Sequence, residues 1–94
     1  MYCVYILYSK KLNRFYTGTT DDFANRFAEH NEETKPDSFT LRGRPWVLFL
    51  KMEGLNSDQA YKIEEHIKKM KSSVFIKNLQ KHPELFEKLK NKYR

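Results

Sequence analysis

The chain begins with a run in which both alternating faces are apolar. In YCVYILYS, residues 2–9, one face carries Tyr, Val, Ile and Tyr, and the other carries Cys, Tyr and Leu. A strand with one solvent-exposed face would have polar residues at every second position. Two apolar faces instead predict a central strand that is covered on both sides. The polar KKLNR then predicts a turn, and FYTG predicts a returning strand, so the pair is expected to form a hairpin.

Helical features follow Gly18, one of three glycines in the chain. Thr20 is predicted to cap a helix whose first turn carries two aspartates and which ends near residues 29–31. The polar residues 31–45, with two prolines and a glycine, predict a loop. WVLFLKM, residues 46–52, predicts a buried third strand with its tryptophan in the core.

The C-terminal half predicts three helices. The first covers about residues 58–71, after a cap at Asn56 or Ser57. It carries an apolar stripe at helical spacing: Ala60, Ile63, Ile67 and Met70. SSVFIKNLQK and HPELFEKLKNKYR predict a short and a final helix. The order β-β-α-β-α-α-α predicts one α+β domain over residues 1–94, with a small three-stranded antiparallel or mixed sheet flanked by helices.

The positive charge is concentrated at one end of the chain. The net charge is +6, yet residues 1–67 carry nine Lys and Arg against ten Asp and Glu, and residues 68–94 carry nine against two. Such a basic segment attracts polyanions, of which nucleic acid is the most common in a cell, although a solvated lysine-rich surface is the alternative. The predicted nucleic-acid contacts are Arg42, Arg44, Lys68, Lys69 and Lys71.

Composition excludes several classes of protein. The sequence has no apolar run near 18 residues and no basic leader before its first strand, so we expect neither a membrane span nor a signal peptide. One cysteine, Cys3, cannot form an internal disulfide and fits a reducing compartment, so a cytoplasmic protein is expected. A structural zinc site is not expected from one cysteine and three histidines.

Two polar residues border the apolar stripe of the first predicted helix. At 100° per residue, Phe23 and Phe27 face the core, and Arg26 and His30 project together beside the Tyr-Thr-Gly turn. They could form part of a site. The alternative is an arginine whose aliphatic stem covers the core edge, followed by a histidine at a helix end.

The second predicted helix places two adjacent carboxylates differently. Glu65 points into solvent, where Lys69 at i+4 can pair with it. Glu64 lies at the edge of the apolar stripe, where it either reaches out to water or serves a cation. Tyr5 and Tyr16 occupy the paired strands, where core packing is the ordinary role of an aromatic residue.

Taken together, these residues resemble the GIY-YIG nuclease superfamily, and most closely its small stand-alone bacterial members. The Gly-Ile-Tyr and Tyr-Ile-Gly of that family stand here as CVY, residues 3–5, and YTG, residues 16–18. The departures fall at backbone and packing positions. The family's arginine ten residues after the second tyrosine falls on Arg26, and its histidine or tyrosine four residues later falls on His30.

The resemblance extends to the later helices. The family's metal-binding glutamate falls on Glu64, and the asparagine that many members carry downstream falls on Asn78 in FIKNL. The resemblance implies an endonuclease that hydrolyses phosphodiester bonds in nucleic acid, in repair or recombination, with one Mg²⁺ or Mn²⁺ on Glu64; DNA is favoured, and the choice between DNA and RNA stays open. The implied catalytic residues are Tyr5, Tyr16, Arg26, His30, Glu64 and Asn78.

Within this hypothesis Arg26 binds the scissile phosphate, and the turn after Tyr16 places that phenol and His30 around it. The general base is Tyr5, Tyr16 or His30, and the sequence does not choose among them. Two other classes of function stay open. One is a nucleic-acid-binding module with weak or no cleavage, and the other is an interaction domain whose basic helices bind an acidic protein.

Overall fold

A computed structural model describes residues 1–32 and 42–94, so part of the predicted loop over 31–45 lies outside the described residues. The strands are β1 (Tyr2–Ser9), β2 (Arg14–Thr20) and β3 (Trp46–Leu55), and the helices are α1 (Phe23–Glu32), α2 (Ser57–Met70), α3 (Ser73–Lys81) and α4 (Pro83–Lys92). All the strand pairs are antiparallel, in the order β2-β1-β3. The predicted α+β class and element order are confirmed, and the sheet is antiparallel rather than mixed.

Strand β1 is the centre of the molecule, as its two apolar faces predict. Every residue from Cys3 to Leu7 is buried. Val4 and Ile6 face the larger core, which is completed by apolar residues of α2, α3 and α4. The other face belongs to a smaller core of Tyr5, Leu7 and Trp46, against which α1 packs its phenylalanines.

The predicted hairpin of β1 and β2 is confirmed, and its register sets up the neighbours of Tyr5. The turn is closed by the Tyr8 hydroxyl, which donates to Oδ1 of Asn13 at 2.6 Å. Asn13 has a positive φ of 53°, which asparagine tolerates better than most residues. Tyr5 is the direct partner of Gly18, and Leu7 is the partner of Tyr16. Tyr5 and Tyr16 therefore lie on the same face of the sheet.

Strand β3 departs from the prediction of a buried strand over 46–52. It extends to Leu55, and Val47 and Leu48 are 54% and 44% exposed. The reason is its position at the edge of the sheet, beside β1 on one side only. Trp46 is buried in the core as predicted.

Helix α1 begins two residues later than a Thr20 cap would require, so that prediction is wrong. Asp22 caps the helix, and its Oδ1 accepts from the backbone N–H of Asn25 at 3.3 Å. The Thr20 hydroxyl instead accepts from the backbone N–H of Asp22 at 3.0 Å, which holds the turn that precedes the helix. Aspartate and threonine are both good caps. Thr20 is still the last residue of β2, so the helix begins after Asp22.

Helix α2 starts with a capping box between Asn56 and Gln59, so Asn56 rather than Ser57 is the cap. Three members of the predicted stripe are buried, but Met70 is 46% exposed and that part of the prediction is wrong. Met70 is the last residue of α2, where Lys71 turns into the left-handed region with φ 47°. The spacing rule that predicts burial holds within a helix, and Met70 lies at the end of one.

The two C-terminal helices brace α2 on its outer side. Gln59 donates from Nε2 to the carbonyl of Lys90 at 2.9 Å, and Nδ1 of His66 lies 2.8 Å from the Tyr93 hydroxyl. α2 packs against β1 and β2 on its other side. This fixes the height of α2 over the hairpin. None of the helices in the described ranges combines the length and apolarity needed to cross a membrane.

Candidate active site at the edge of strand β2

Strand β2 forms an open edge of the sheet, where side chains from both faces can meet. At Gly18, a Cβ atom would overlap the hydroxyl end of the Tyr5 ring. Glycine therefore allows the phenol to lie directly across β2. The next residue, Thr19, is the partner of Val4 and so belongs to the opposite face. These two neighbouring positions give the edge a contact with each side of the sheet.

Three of the predicted site residues form one cluster of rings. Tyr5 is 2% exposed, and its hydroxyl is joined to Nε2 of His30 by a hydrogen bond of 3.1 Å. His30 is 7% exposed, and its ring meets the Tyr16 ring edge-on with centroids 4.8 Å apart. Phe23 packs against Tyr5 from the start of α1, with centroids 5.6 Å apart. The structure thus brings both tyrosines and the histidine together, as the sequence predicted.

The C-terminal end of α1 is fastened so that His30 stays in this cluster. The Asn31 side chain donates to the carbonyl of Trp46 at 2.9 Å and accepts from its backbone N–H at 2.6 Å. The Arg44 guanidinium donates from Nε to the carbonyl of His30 at 2.7 Å. The sequence prediction missed Asn31 because a polar residue at a helix end carries no distinctive signal. Arg44, predicted to contact nucleic acid, has a partner within the fold.

Arg26 lies on the exposed side of α1. Its side chain is 52% exposed, and its Nε lies 3.4 Å from a carboxylate oxygen of Glu29, one turn further along the helix. In a purely structural role, the aliphatic stem of Arg26 would cover the edge of the core. With half of the side chain exposed, that role does not involve the guanidinium. The side chain is thus exposed to solvent, and its positive charge lowers the pKa of Tyr5 in the ring cluster.

The electrostatic environment keeps the Tyr5 phenol protonated. Burial raises its pKa far above the ordinary value of 10.0, which is the largest effect. Tyr16 raises the pKa further, the positive charge of Arg26 lowers it, and the negative charge of Glu64 raises it. A phenol in this state donates a hydrogen bond at neutral pH and is a poor proton acceptor. The charges of Arg26 and Glu64 thus act on Tyr5 in opposite directions.

Glu64 reaches the edge of β2 from the opposite face of the sheet. Its side chain is 16% exposed, Lys68 lies 2.6 Å from Oε2, and the Thr19 hydroxyl donates to Oε1 at 2.7 Å. Glu65 is 69% exposed and pairs with Lys69 at 3.0 Å. The predicted difference between the two carboxylates is confirmed. The role of Thr19 was missed, although the hairpin register places it on the face that α2 covers.

Glu64 supplies the kind of donor that a hard divalent cation takes. In the ranges 1–32 and 42–94, no group of three or more His, Cys, Asp or Glu side chains could hold a metal. A zinc site needs three or four such ligands. Both oxygens of Glu64 have partners, Lys68 at Oε2 and Thr19 at Oε1, so a metal ion would compete with the Lys68 ammonium. A single carboxylate suits a divalent cation that keeps several water ligands, such as Mg²⁺ or Mn²⁺.

Asn78 is not joined to this cluster. It lies half-buried on α3, and none of the hydrogen bonds, ion pairs or ring contacts of the described residues links its side chain to the ring cluster or to Glu64. Its assignment rests on the resemblance alone. It stays a prediction that the geometry does not strengthen.

A groove of about 830 Å³ opens beside the cluster, between β2 and the junction of α2 with α3. We call it the basic groove, and its charged and aromatic lining consists of Arg14, Lys68, Lys71, Lys77, Tyr8, Phe15, Phe49 and Tyr16. Lys68 and Lys71 were predicted to contact nucleic acid, and Arg14 and Lys77 were not. Lys69 lines a smaller pocket beside His66, and Arg42 is exposed elsewhere.

Comparison with known proteins gives one match. The family model described as the GIY-YIG catalytic domain matches residues 1–80, which include both tyrosines, α1, Glu64 and all of α3 except its last residue. No curated protein and no solved structure matches the chain at a significant level.

Proposed function

Because the chain belongs to the GIY-YIG family, whose catalytic domain is a nuclease domain, we propose that it is a metal-dependent endonuclease. It would hydrolyse phosphodiester bonds in nucleic acid, with DNA preferred to RNA, as one domain over residues 1–94. The observation that carries this proposal is the ring cluster of Tyr5, Tyr16 and His30 at the edge of β2. Arg26 and Glu64 both lie within electrostatic range of Tyr5.

In this proposal, the phosphate binds at the edge of β2. Arg26 binds it, because a guanidinium fork matches two phosphate oxygens. Its partner in the structure is Glu29, and such an exposed ion pair is weak. The protonated Tyr5 phenol donates its single hydrogen to a phosphate oxygen or to the attacking water, which requires Nε2 of His30 to carry a hydrogen and to donate to the phenol oxygen. Both contacts favour the more negative transition state over the ground state.

The proton of the attacking water goes to His30 in this scheme, at Nδ1, because Nε2 is engaged with the Tyr5 hydroxyl. Burial raises the pKa of Tyr5 and so makes that phenol a poor base. Tyr16, whose ring packs on His30, is the rival acceptor. Its half-buried position on an edge strand lets it approach both the water and the phosphate.

Glu64 is the proposed metal ligand. A bound Mg²⁺ or Mn²⁺ would supply positive charge against the oxygens of the phosphate. Thr19 orients the carboxylate by donating to Oε1. The remaining contribution of the chain is to hold Glu64 at a fixed height over β2, through the packing of α2 on the hairpin.

The test compares two adjacent carboxylates under the same assay. The purified protein is incubated with a panel of duplex, nicked, branched and single-stranded DNA and RNA, in Mg²⁺, Mn²⁺ or EDTA. Cleavage is expected only with metal, and Glu64→Gln should lower its rate by at least about 100-fold, the cost of removing one charge-stabilising group. Glu65→Gln should retain activity because its side chain is exposed. Equal losses in both variants, with both folded, would sink the assignment.

A second candidate function is favoured by the basic groove. A nucleic-acid-binding module would need its cations but not the carboxylate of Glu64 at the site. It predicts affinity for nucleic acid with no cleavage on any substrate in either metal. An acidic protein partner, in contrast, predicts no affinity for nucleic acid even at low salt.

A further inference from the structure

The basic groove lies on the face of the sheet that α2 covers. Phe15 lines it and is the strand partner of Tyr8, so both belong to the face opposite the ring cluster. Lys68, which pairs with Glu64, also lines the groove, and Tyr16 contributes to the lining from the edge strand. A strand of nucleic acid whose scissile phosphate lies near Glu64 would therefore lie beside the groove.

The lining of the groove has one sign of charge. Four cations and no carboxylate contribute to it. Lys68 pairs with Glu64, but Arg14, Lys71 and Lys77 form no ion pair within the part of the chain that the structure describes. Three cations without a counterion in one concavity are suited to phosphate groups.

The first turn of α3 adds to this phosphate-binding character. Ser72 caps the helix and Ser73 begins it, and both line the groove. The positive end of the helix dipole therefore lies at the groove, together with backbone N–H groups of the first turn. The helix and the cations act in the same direction.

Aromatic rings form another part of the lining. Phe15 lies between Tyr8 and Phe49, with ring centroids 5.1 Å and 4.9 Å away. All three rings are half-buried, so each keeps an accessible part. A nucleobase stacks on such rings whatever its identity, because every base has a π-face. Cations alone would suit the outside of a duplex, but the aromatic rings suit an exposed base.

The aromatic lining, rather than the size of the groove, favours unpaired over paired nucleic acid. The volume of about 830 Å³ lies within the range of small-molecule pockets, roughly 300–1,000 Å³. That is room for a nucleotide or two, whereas the bases of a duplex are stacked inside and cannot reach a ring. We propose that the basic groove binds an unpaired nucleotide or short single strand that flanks the scissile phosphate. The position of that phosphate rests on the proposed function, whereas the binding does not.

The test measures binding without cleavage. Fluorescence anisotropy follows a short labelled oligothymidylate and a blunt duplex with the same number of phosphates, on the full chain in EDTA. Phe15→Leu should weaken oligothymidylate binding by roughly ten-fold or more, the effect of losing one stacked base. Lys77→Glu should also weaken oligothymidylate binding several-fold, because it removes one of the cations of the groove. The duplex should be much less sensitive to Phe15→Leu.

Two matched variants outside the groove serve as controls. Lys88→Glu makes the same charge change on the exposed side of α4, and Phe86→Leu makes the same change at a half-buried ring there. Neither should alter oligothymidylate binding by as much as its counterpart. If Phe15→Leu fails to fold, photocrosslinking of the unmodified protein with 5-bromodeoxyuridine in the oligonucleotide replaces it, and crosslinks to peptides containing Tyr8, Phe15 or Phe49 are expected.

Several outcomes would overturn the proposal. They are unchanged affinity in both groove variants, equal losses in the controls, equal sensitivity of the duplex to Phe15→Leu, or crosslinks confined to peptides outside the groove. Groove-dependent binding of the single strand, in a protein that cleaves no substrate, would refute the endonuclease proposal and leave this one intact.

Discussion

At the scale of single residues, Arg26 has an exposed guanidinium whose positive charge also lowers the pKa of a buried phenol, that of Tyr5. Its ion pair with Glu29 is an exposed i,i+3 contact, a class worth only about 0.3–0.5 kcal/mol. Arg26 can therefore leave Glu29 for a phosphate at little cost. Through its effect on that pKa, Arg26 is also electrostatically coupled to Tyr5.

The first prediction concerns the shape of that guanidinium. Arg26→Lys keeps the charge but loses the fork that makes two parallel hydrogen bonds. If Arg26 grips the phosphate in the transition state, the rate of the chemical step should fall by about 100-fold or more. Single-turnover cleavage at saturating protein measures that step, and equilibrium binding in EDTA should change much less.

Glu29→Gln is the matched control, since it removes the ion-pair partner but leaves the guanidinium in place. It should retain most of the single-turnover rate. A near-normal rate in Arg26→Lys would instead assign Arg26 to the helix surface and weaken the endonuclease interpretation of the cluster.

The residue-scale features that the sequence could predict are those fixed by spacing. Tyr5, Tyr16 and His30 meet because a hairpin and one helix bring them to the same face. The contact of Thr19 with Glu64 and the contact of Asn31 with Trp46 could not be predicted, because each depends on how two elements pack. The protonated state of Tyr5 likewise follows from its burial, which the sequence did not quantify.

At the scale of elements, α1 is attached to the rest of the fold at its C-terminal end. Asn31 makes two hydrogen bonds to the backbone of Trp46, at the first residue of β3. Arg44 adds bonds to the carbonyls of Glu29 and His30. These contacts set the position of the last turn of α1, and so of the histidine in the ring cluster.

The second prediction tests this attachment. Asn31→Ala leaves both the N–H and the carbonyl of Trp46 without their side-chain partner, which should cost about 2 kcal/mol of stability. Thermal unfolding and urea denaturation measure the loss. Cleavage under conditions where the variant is folded should also fall, because His30 is the neighbouring residue. Asn25→Ala, at an exposed position on the same helix, should change neither quantity appreciably.

A normal cleavage rate in a folded but destabilised Asn31→Ala variant would contradict a positioning role. Asn31 would then contribute to stability alone.

Element order and the covered central strand could be predicted, because hydrophobic periodicity is a local property of the chain. The exposure of Val47, Leu48 and Met70 could not. Val47 and Leu48 read as a buried run, yet β3 has a neighbour on one side only, which is a property of the sheet order. Met70 fits the apolar stripe by angle, but the left-handed Lys71 ends the helix at that point.

At the scale of the whole molecule, the positive charge is unevenly distributed along the chain. The excess of positive charge belongs to residues 68–94, and three of the four cations of the basic groove come from that segment. The fourth, Arg14, is at the start of β2. Lys68, Lys71 and Lys77 thus bring part of the excess charge to the groove beside β2.

The third prediction is a salt dependence that traces to this segment. The logarithm of the affinity for nucleic acid should fall linearly with the logarithm of the salt concentration. Lys71→Glu combined with Lys77→Glu should lower the magnitude of that slope by about 1 for each lysine–phosphate interaction that the substitutions remove. Anisotropy titrations over a series of salt concentrations measure it.

The control makes the same charge change in the N-terminal part, with Lys10→Glu combined with Lys62→Glu, both at exposed positions. It should leave the slope close to that of the unmodified protein. Equal changes in the two double variants would mean that net charge, rather than the basic groove, governs binding.

The close approach of Tyr5 to Gly18 has a consequence for how this sequence can diverge. A side chain at position 18 would have to occupy the space of the phenol, so the two positions are constrained as a pair. Replacement of the glycine must therefore either displace the Tyr5 ring or be accompanied by a smaller residue at position 5. Single substitutions at either position thus lead away from a working site. Libraries built to re-engineer this edge should therefore randomise positions 5 and 18 jointly rather than in turn.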